Sequence, residues 1–477
     1  MKKQIFSVNF TAILLLSCAV GIVLAAESQP EDMQVTGSHY ALAPWFIRYV
    51  HHPAPPDLVD VGDYNAISFN PVDGQPHISY YITTHQDLML ASPTPKGNGN
   101  CGNEYDWWCR AVDGDGMEGR STDDTGQYSS IAFWQSPADE NYWKMGISYY
   151  NATLHALRFA EWSCDPYCDW NYTDVDTGSE YYLTGWYTSL QYDSNGNPHI
   201  AYYANNQLGS DALKYATYVG GGTGNCGPSD NWWCTIVDEG SGVGKWASLD
   251  LQYDDAVYIA YYHDAADELR YAYHAGIGNC GSGAAWYCTT IDSDGNVGAN
   301  ASLAAPAYAG DRTRVAYYDL NYHRLKYAFS GAGGSGNCGP SNSWYCSVVD
   351  DMDPVLHVGL AMKMDAGGSP MIAYQYTDPG NPEGYTVVRL ARPNFVYDGT
   401  HSGNCGDIPP GYDEPWWRCI TLDDAGLYED EGDFIAMAVN GNGLAAISYS
   451  EENSFYNSTF LKVVFQQAML YLPLIQR

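Results

Sequence analysis

The chain has 477 residues and a formal charge of −35, yet only 16% of it is charged, beside 42 tyrosines and 15 tryptophans. So acidic a surface excludes nucleic acid and anionic membranes as partners by repulsion, and so much aromatic residue excludes a disordered acidic chain. What remains is the profile of an extracellular all-β protein, with solubility the plainest account of the charge.

The first element is a predicted signal peptide over residues 1–26, with Lys2 and Lys3 as its charged start, an apolar run over 13–24, and small residues at Ala25 and Ala26. That run is short for a membrane span, and no other segment approaches ~20 apolar residues. A faint lipoprotein box ends at Cys18, but apolar residues continue beyond it, which favours cleavage downstream. Residues 27–56 follow as a linker. Cleavage removes Cys18 and leaves twelve cysteines, an even number at short spacings. In a secreted chain this predicts local disulfides: Cys101–Cys109, Cys164–Cys168, Cys226–Cys234, Cys280–Cys288, Cys338–Cys346 and Cys405–Cys419. Zinc is the rival, but no CxxC pair and no histidine at ligand spacing stands beside them.

From residue 57 onward the chain repeats itself. The third copy is the cleanest. Its first strand lies near 188–192, its second over 198–203 and its third over 212–217. A Gly-rich loop then carries Cys226, and a fourth strand ends at Asp238. Turn clusters separate short runs rich in β-branched and aromatic residues. The second strand recurs seven times, as in HISYY at 77–81, HIAYY at 199–203 and YIAYY at 258–262, and the first strand also recurs seven times. The fourth-strand Asp occurs at Asp60, Asp113, Asp176, Asp238, Asp292, Asp350 and Asp423, with the first copy ahead of any first strand. The count closes if residues 57–60 supply the missing outer strand of the last sheet. The expectation is an all-β, seven-bladed β-propeller over residues 57–468, closed by an N-terminal strand, with a tail at 469–477. An open solenoid is the alternative, but it has no use for a displaced Asp60 and would leave a free edge.

These motifs resemble a family of secreted bacterial propeller repeats with the pattern S-L-x-x-D-x-x-G-x-P-H-I-x-Y-Y, then L-K-Y-A, then W-x-x-x-x-V-D. Copy three matches at Ser189, Leu190, Asp193, Gly196, at 198–203, at 213–216 and at Val237 and Asp238. The likeness extends over nearly all of the mature chain and implies fold and export, without implying one activity. It departs in copy two, where Cys164 and Cys168 replace the Gly-Asn-Cys-Gly loop, and in copy six, with insertions around 378–383 and 395–400.

Propeller topology puts the disulfide loops on one face and the starts of the first strands on the other, around the channel mouth. There Tyr64, Tyr128, Tyr187 and Trp246 recur, with Phe434, while Asn300 and Val358 break the ring. With His263, Asp264 and Asp319 they form the candidate site for a glycan, whose CH groups stack on rings. A hydrophobic plug explains the same rings. The repeated Asp residues suit turn capping better than metal binding, because a cation needs its oxygens within ~2.6 Å. The paired tyrosines suit packing between blades.

A sialidase-like glycoside hydrolase is the enzymatic alternative. It needs an arginine cluster and a tyrosine–carboxylate pair, and Arg312, Arg314 and Arg324 lie on different strands or loops. No GxSxG, HExxH or P-loop is present. The weight falls on a non-catalytic, monomeric binding propeller whose partner is an extracellular glycan or protein. No cofactor is implied. Structural calcium is the one exception entertained, from weak calcium-loop likenesses at Asp292, Asp294 and Asn296 and at Asp113 and Asp115. Glycosylation sequons begin at Asn151, Asn171, Asn300 and Asn457. The apolar tail, YLPLIQR over 471–477, suggests a surface-retention signal or a last packed segment.

Overall fold

A computed structural model describes residues 44–52, 59–117, 120–164, 168–331, 333–352, 359–377, 385–394, 403–408, 413–424, 429–456 and 458–466. The expected signal peptide, Val358, both copy-six insertions, Asn457 and the tail 469–477 lie outside the described residues.

The described strands form seven four-stranded antiparallel sheets, and the inner strand of each contacts the inner strands of the next and the last, which closes a ring. Blade 1 spans residues 61–113, blade 2 residues 125–177, blade 3 residues 182–240, blade 4 residues 243–292, blade 5 residues 297–351 and blade 6 residues 360–423. Blade 7 takes its first three strands from 429–466 and its outer strand from Trp45–His51, which pairs with Ser458–Gln466. The closing strand is therefore N-terminal, as expected, but it lies earlier than residues 57–60, inside the segment read as linker. Asp60 instead accepts the Thr459 amide at 3.1 Å, bracing the entry to blade 1.

Each blade is sandwiched between two others, so both sides of its middle strands are buried. Tyr202 and Tyr203, adjacent and pointing to opposite sides, are 0% and 1% exposed. A buried phenol needs a hydrogen-bond partner, and the first tyrosine of each pair finds it across the blade boundary. Tyr149, Tyr261, Tyr317, Tyr374 and Tyr449 donate to Asp113, Asp238, Asp292, Asp350 and Asp423 at 2.8, 2.6, 2.6, 2.6 and 2.5 Å. Tyr202 donates to Asp176 at 2.7 Å. A cation from the neighbouring third strand completes each set: Arg158, Lys214, Arg270, Lys326, Arg389 and Lys462 in turn. The repeated Asp thus does two jobs. In Asp292, Oδ1 caps its turn by accepting the Asp294 amide at 3.1 Å, and Oδ2 takes Tyr317. Burial first, and then the carboxylate, pushes the Tyr317 hydroxyl well above its ordinary pKa.

The seventh boundary, between blades 7 and 1, is built differently. Tyr80 is there, 0% exposed, but its partner is His51 Nδ1 at 3.0 Å, and the cation's register position is held by Met89. Aspartate and cation are absent together, so no lone charge is buried.

Three smaller devices complete the ring. Ser130, Ser189, Ser248 and Ser302 each accept a backbone N–H from the next blade's inner strand, at 3.1, 2.9, 2.9 and 2.9 Å. All six expected disulfides are formed. The asparagine before each Gly-flanked cysteine bridges the hairpin, as Asn225 does by accepting the Cys234 amide at 2.7 Å and donating to its carbonyl at 2.9 Å. The glycine before it is obligatory, since a Cβ on Gly224 would lie 1.9 Å from the Trp232 carbonyl oxygen. The phrase is a local staple throughout.

Two outcomes test this account. Asp292→Asn leaves the Lys326 ammonium buried without a counter-charge and should cost roughly 3 kcal/mol in urea unfolding. The double variant D292H/K326M, which copies His51 and Met89, should recover most of that loss. The second concerns pH. Burial, then the positive potential of His52 and His85, lowers the His51 pKa to about 4, against about 6.5 unfolded. The neutral ring therefore contributes stability that is full above pH 6.5 and is lost as pH falls toward 4. His51→Gln should remove that part of the acid destabilisation, up to about 3 kcal/mol, when unfolding at pH 7 and pH 4.5 is compared with wild type.

Candidate ligand-binding site

At the channel mouth the inner strands of blades 1–5 and 7 enter through a bulge. Tyr64, Tyr128, Tyr187, Trp246, Asn300 and Phe434 occupy equivalent positions there, with φ of 50°, 56°, 51°, 48°, 51° and 51°. Non-glycine residues rarely adopt this left-handed conformation, and neighbouring blades hold it in place. Ser129 Oγ donates to the Tyr64 carbonyl at 2.8 Å, and Thr188 Oγ1 donates to the Tyr128 carbonyl at 2.7 Å. In blade 6 the position is Gly359 rather than Val358, and its Cβ would lie 2.0 Å from the Gly432 carbonyl oxygen.

The structure brings four of the expected site residues together. Ring centroids run Phe434–Tyr64 4.7 Å, Tyr64–Tyr128 4.5 Å, Tyr128–Tyr187 4.7 Å and Tyr187–Trp246 5.6 Å. The rings are half-buried and tilted against one another, so they form a packed arc. Burial, then the electrostatic effect of Tyr64, against a hydrogen bond with the neighbouring Tyr128, raises the Tyr187 hydroxyl to about 12. Beside the arc, Asp433 is pushed up to about 6, chiefly by burial and then by the negative charge of Glu452, Asp430 and Asp63 around it, against a hydrogen bond from Gln375. The polar candidates are engaged in different ways. Asp264 is exposed and pairs with Lys245 at 2.5 Å. His263 is half-buried, and its Nδ1 is buried without a hydrogen-bond partner among the described residues. Asp319 is 1% exposed and caps its own turn, accepting the Asn321 and Tyr322 amides at 3.0 and 3.1 Å.

The calcium-loop likenesses are also committed elsewhere. Asp115 pairs with Arg120 at 2.7 Å, and Asn296 accepts the Tyr262 hydroxyl at 2.6 Å. Asp113 and Asp292 belong to the boundary sets above. The three arginines weighed for a sialidase do not converge. Arg314 pairs with Asp311 at 2.8 Å and Arg324 with Asp351 at 2.9 Å, while Arg312 lies over the Phe329 ring. Arg314 and Arg324 pair with opposite ends of one two-strand ladder, about 17 Å apart at ~3.3 Å per residue.

The more open aromatic site is on the other face, which sequence reasoning set aside as the disulfide rim. A cleft of 610 Å³ lies there between blades 4 and 5. Its wall is a ladder of tyrosines with stacked or nearly parallel rings. Tyr271–Tyr258 centroids are 5.7 Å apart at 23°, Tyr258–Tyr273 6.0 Å at 30°, and Tyr273–Tyr287 5.3 Å at 35°. Tyr253 and Tyr308 flank it from the loops, 54% and 63% exposed. Hydroxyls of Thr289, Thr313, Ser330 and Ser343 and the Gln252 amide supply polar groups. The ladder is particular to blade 4. The cross-strand pair Tyr258–Tyr273 is His199–Thr217 in blade 3 and Arg314–Phe329 in blade 5. The available signal was Tyr253, Tyr258, Tyr271, Tyr273 and Tyr287 crowded into one copy.

No helix among the described residues is long and apolar enough to cross a membrane. Neither the family models nor the curated proteins give a match to the chain. Among solved structures, the chain is similar to the Hadza microbial sialidase Hz136 at 10% identity and a TM-score of 0.43, over 88% of this chain and 67% of that one. It is similar to the Penicillium chrysogenum α-L-arabinanase at 10% identity and 0.42, over 88% and 98%. It is also similar to the fucose-specific lectin of Aleuria aurantia at 11% identity and 0.39, over 74% and 98%. Likeness at this level carries no activity or ligand over to this chain.

Proposed function

We propose that this protein is a secreted, non-catalytic propeller that binds extracellular glycan, and that the tyrosine cleft between blades 4 and 5 is its principal binding surface. The observation that carries the reading is the ladder itself. Tyr287 is exposed and Tyr258 and Tyr273 are half-buried on a rigid sheet, with Tyr271 buried behind them, beside neutral hydroxyls and an amide, the combination that sugar rings meet by stacking and hydrogen bonding. Rings on strands are held in place before the ligand arrives, which lowers the cost of binding.

The cleft is poorly equipped for hydrolysis. Glycosidases of the usual kind use two carboxyl groups about 5–9.5 Å apart. Asp311 is the one carboxylate among the described lining residues, and it is held by Arg314. Hydrogen bonds from Arg314 and from the Ala307 and Arg312 amides lower its pKa despite some burial, so it is a poor proton donor. The channel-mouth arc remains a second proposed contact surface for the same ligand class. Six local disulfides fit an oxidising, extracellular setting.

A glycan array with the intact protein should give signal. Y273A/Y287A should lose at least tenfold in affinity for whatever glycan scores, while Y128A/W246A at the mouth should lose less than threefold. The reverse ordering would move the site to the channel mouth, and silence across the array would overturn glycan binding.

A further inference from the structure

At the inner end of the boundary between blades 6 and 7, Glu431 and Glu451 face each other on neighbouring strands, and both are 0% exposed. Like charges directly opposite in a sheet destabilise it. The corresponding pairs in other blades are Val61–Ile82, Thr125–Asn151, Val243–His263 and Val297–Asp319, none with two carboxylates. Among the described residues, Lys462 is the nearby cation, at 2.5 Å from Glu431, 2.7 Å from Glu451 and 3.0 Å from Asp423. One ammonium thus serves three carboxylates, where Lys214, Arg270, Lys326 and Arg389 each pair with a single aspartate. Glu429 adds a fourth beside them.

We propose that Glu429, Glu431 and Glu451 hold a divalent cation, calcium by the chemistry of the set. One carboxylate oxygen from each lies within 4.8 Å of the others, the span of ligands around an ion with metal–oxygen distances of about 2.3–2.6 Å. An independent sign is Glu431 Oε2, fully buried and without a hydrogen-bond partner among the described residues. A buried carboxylate oxygen left unsatisfied is costly, and a cation satisfies it while balancing the surplus charge. Oxygen ligands without nitrogen or sulfur select a hard ion. Asn453 orients the site, its Nδ2 donating to Glu451 Oε1 at 3.1 Å and to Glu429 Oε1 at 3.2 Å. The ion would tie the first and second strands of blade 7 together beside the boundary with blade 6.

The test is calorimetric titration of calcium chloride into EDTA-dialysed intact protein at pH 7.5, with thermal unfolding across the same concentrations. The expected result is a Tm that rises with calcium and a binding event absent from both Glu429→Gln and Glu431→Gln. Glu429 is only half-buried, so its variant should fold normally, with near-UV circular dichroism as the check. No heat and no Tm change in the wild type would overturn the site, as would calcium binding of unchanged stoichiometry in both variants. Those outcomes would leave a proton on Glu431 as the neutralising partner.

Discussion

A tyrosine hydroxyl, an aspartate and a lysine or arginine meet at six of the seven boundaries between blades. Each member comes from a different strand, two from one blade and one from the blade before. This contact turns seven similar sheets into one ring. Apolar packing is non-directional and would let neighbouring blades slide or tilt. A short, charge-assisted hydrogen bond in a buried place fixes one angle and one register. The aspartate binds the neighbouring blade with one oxygen and shapes the turn into its own next blade with the other, so the two geometries are linked.

Much of this was legible because the chain states each part seven times. Counting second strands gave the blade number, and the cysteine phrase gave five of the six disulfides, whose asparagine and glycine are explained within one hairpin. The partner of Asp292 was not legible. Tyr317 lies 25 residues further on, and spacing alone does not say that blade boundaries bring the two together. Turn capping, the role its sequence position suggests, accounts for half of this aspartate. The closing strand was misplaced for a related reason. WFIRYVH at 45–51 carries no terminal Asp, because at that boundary His51 and Met89 replace the charged pair, so the repeated letter points to Asp60 instead.

The site followed the same logic. Tyr64, Tyr128, Tyr187 and Trp246 are periodic, so the sequence showed them, and the structure joins them into an arc whose common backbone conformation is fixed by the ring. The cleft between blades 4 and 5 is an exception to the repeat. Its tyrosines come from several strands and a loop of one blade and face loops of the next, so only the assembled boundary makes a wall of them. The surplus glutamates of blade 7 are also exceptions. In a repeat protein the shared letters report the scaffold, and the departures from them mark what one blade does alone.

The unlike boundary has a consequence for how the molecule is made. A chain emerging from its N-terminus presents residues 45–51 first, and their strand partner, Ser458–Gln466, arrives last. His51, Tyr80 and Met89 all lie within residues 45–89, so the side chains of the unlike boundary belong to one early part of the chain. What spans the whole chain is the backbone pairing of residues 45–51 with Ser458–Gln466. The ring is therefore closed by main-chain hydrogen bonds along one strand edge, and it is that edge which stays open until blade 7 has been made.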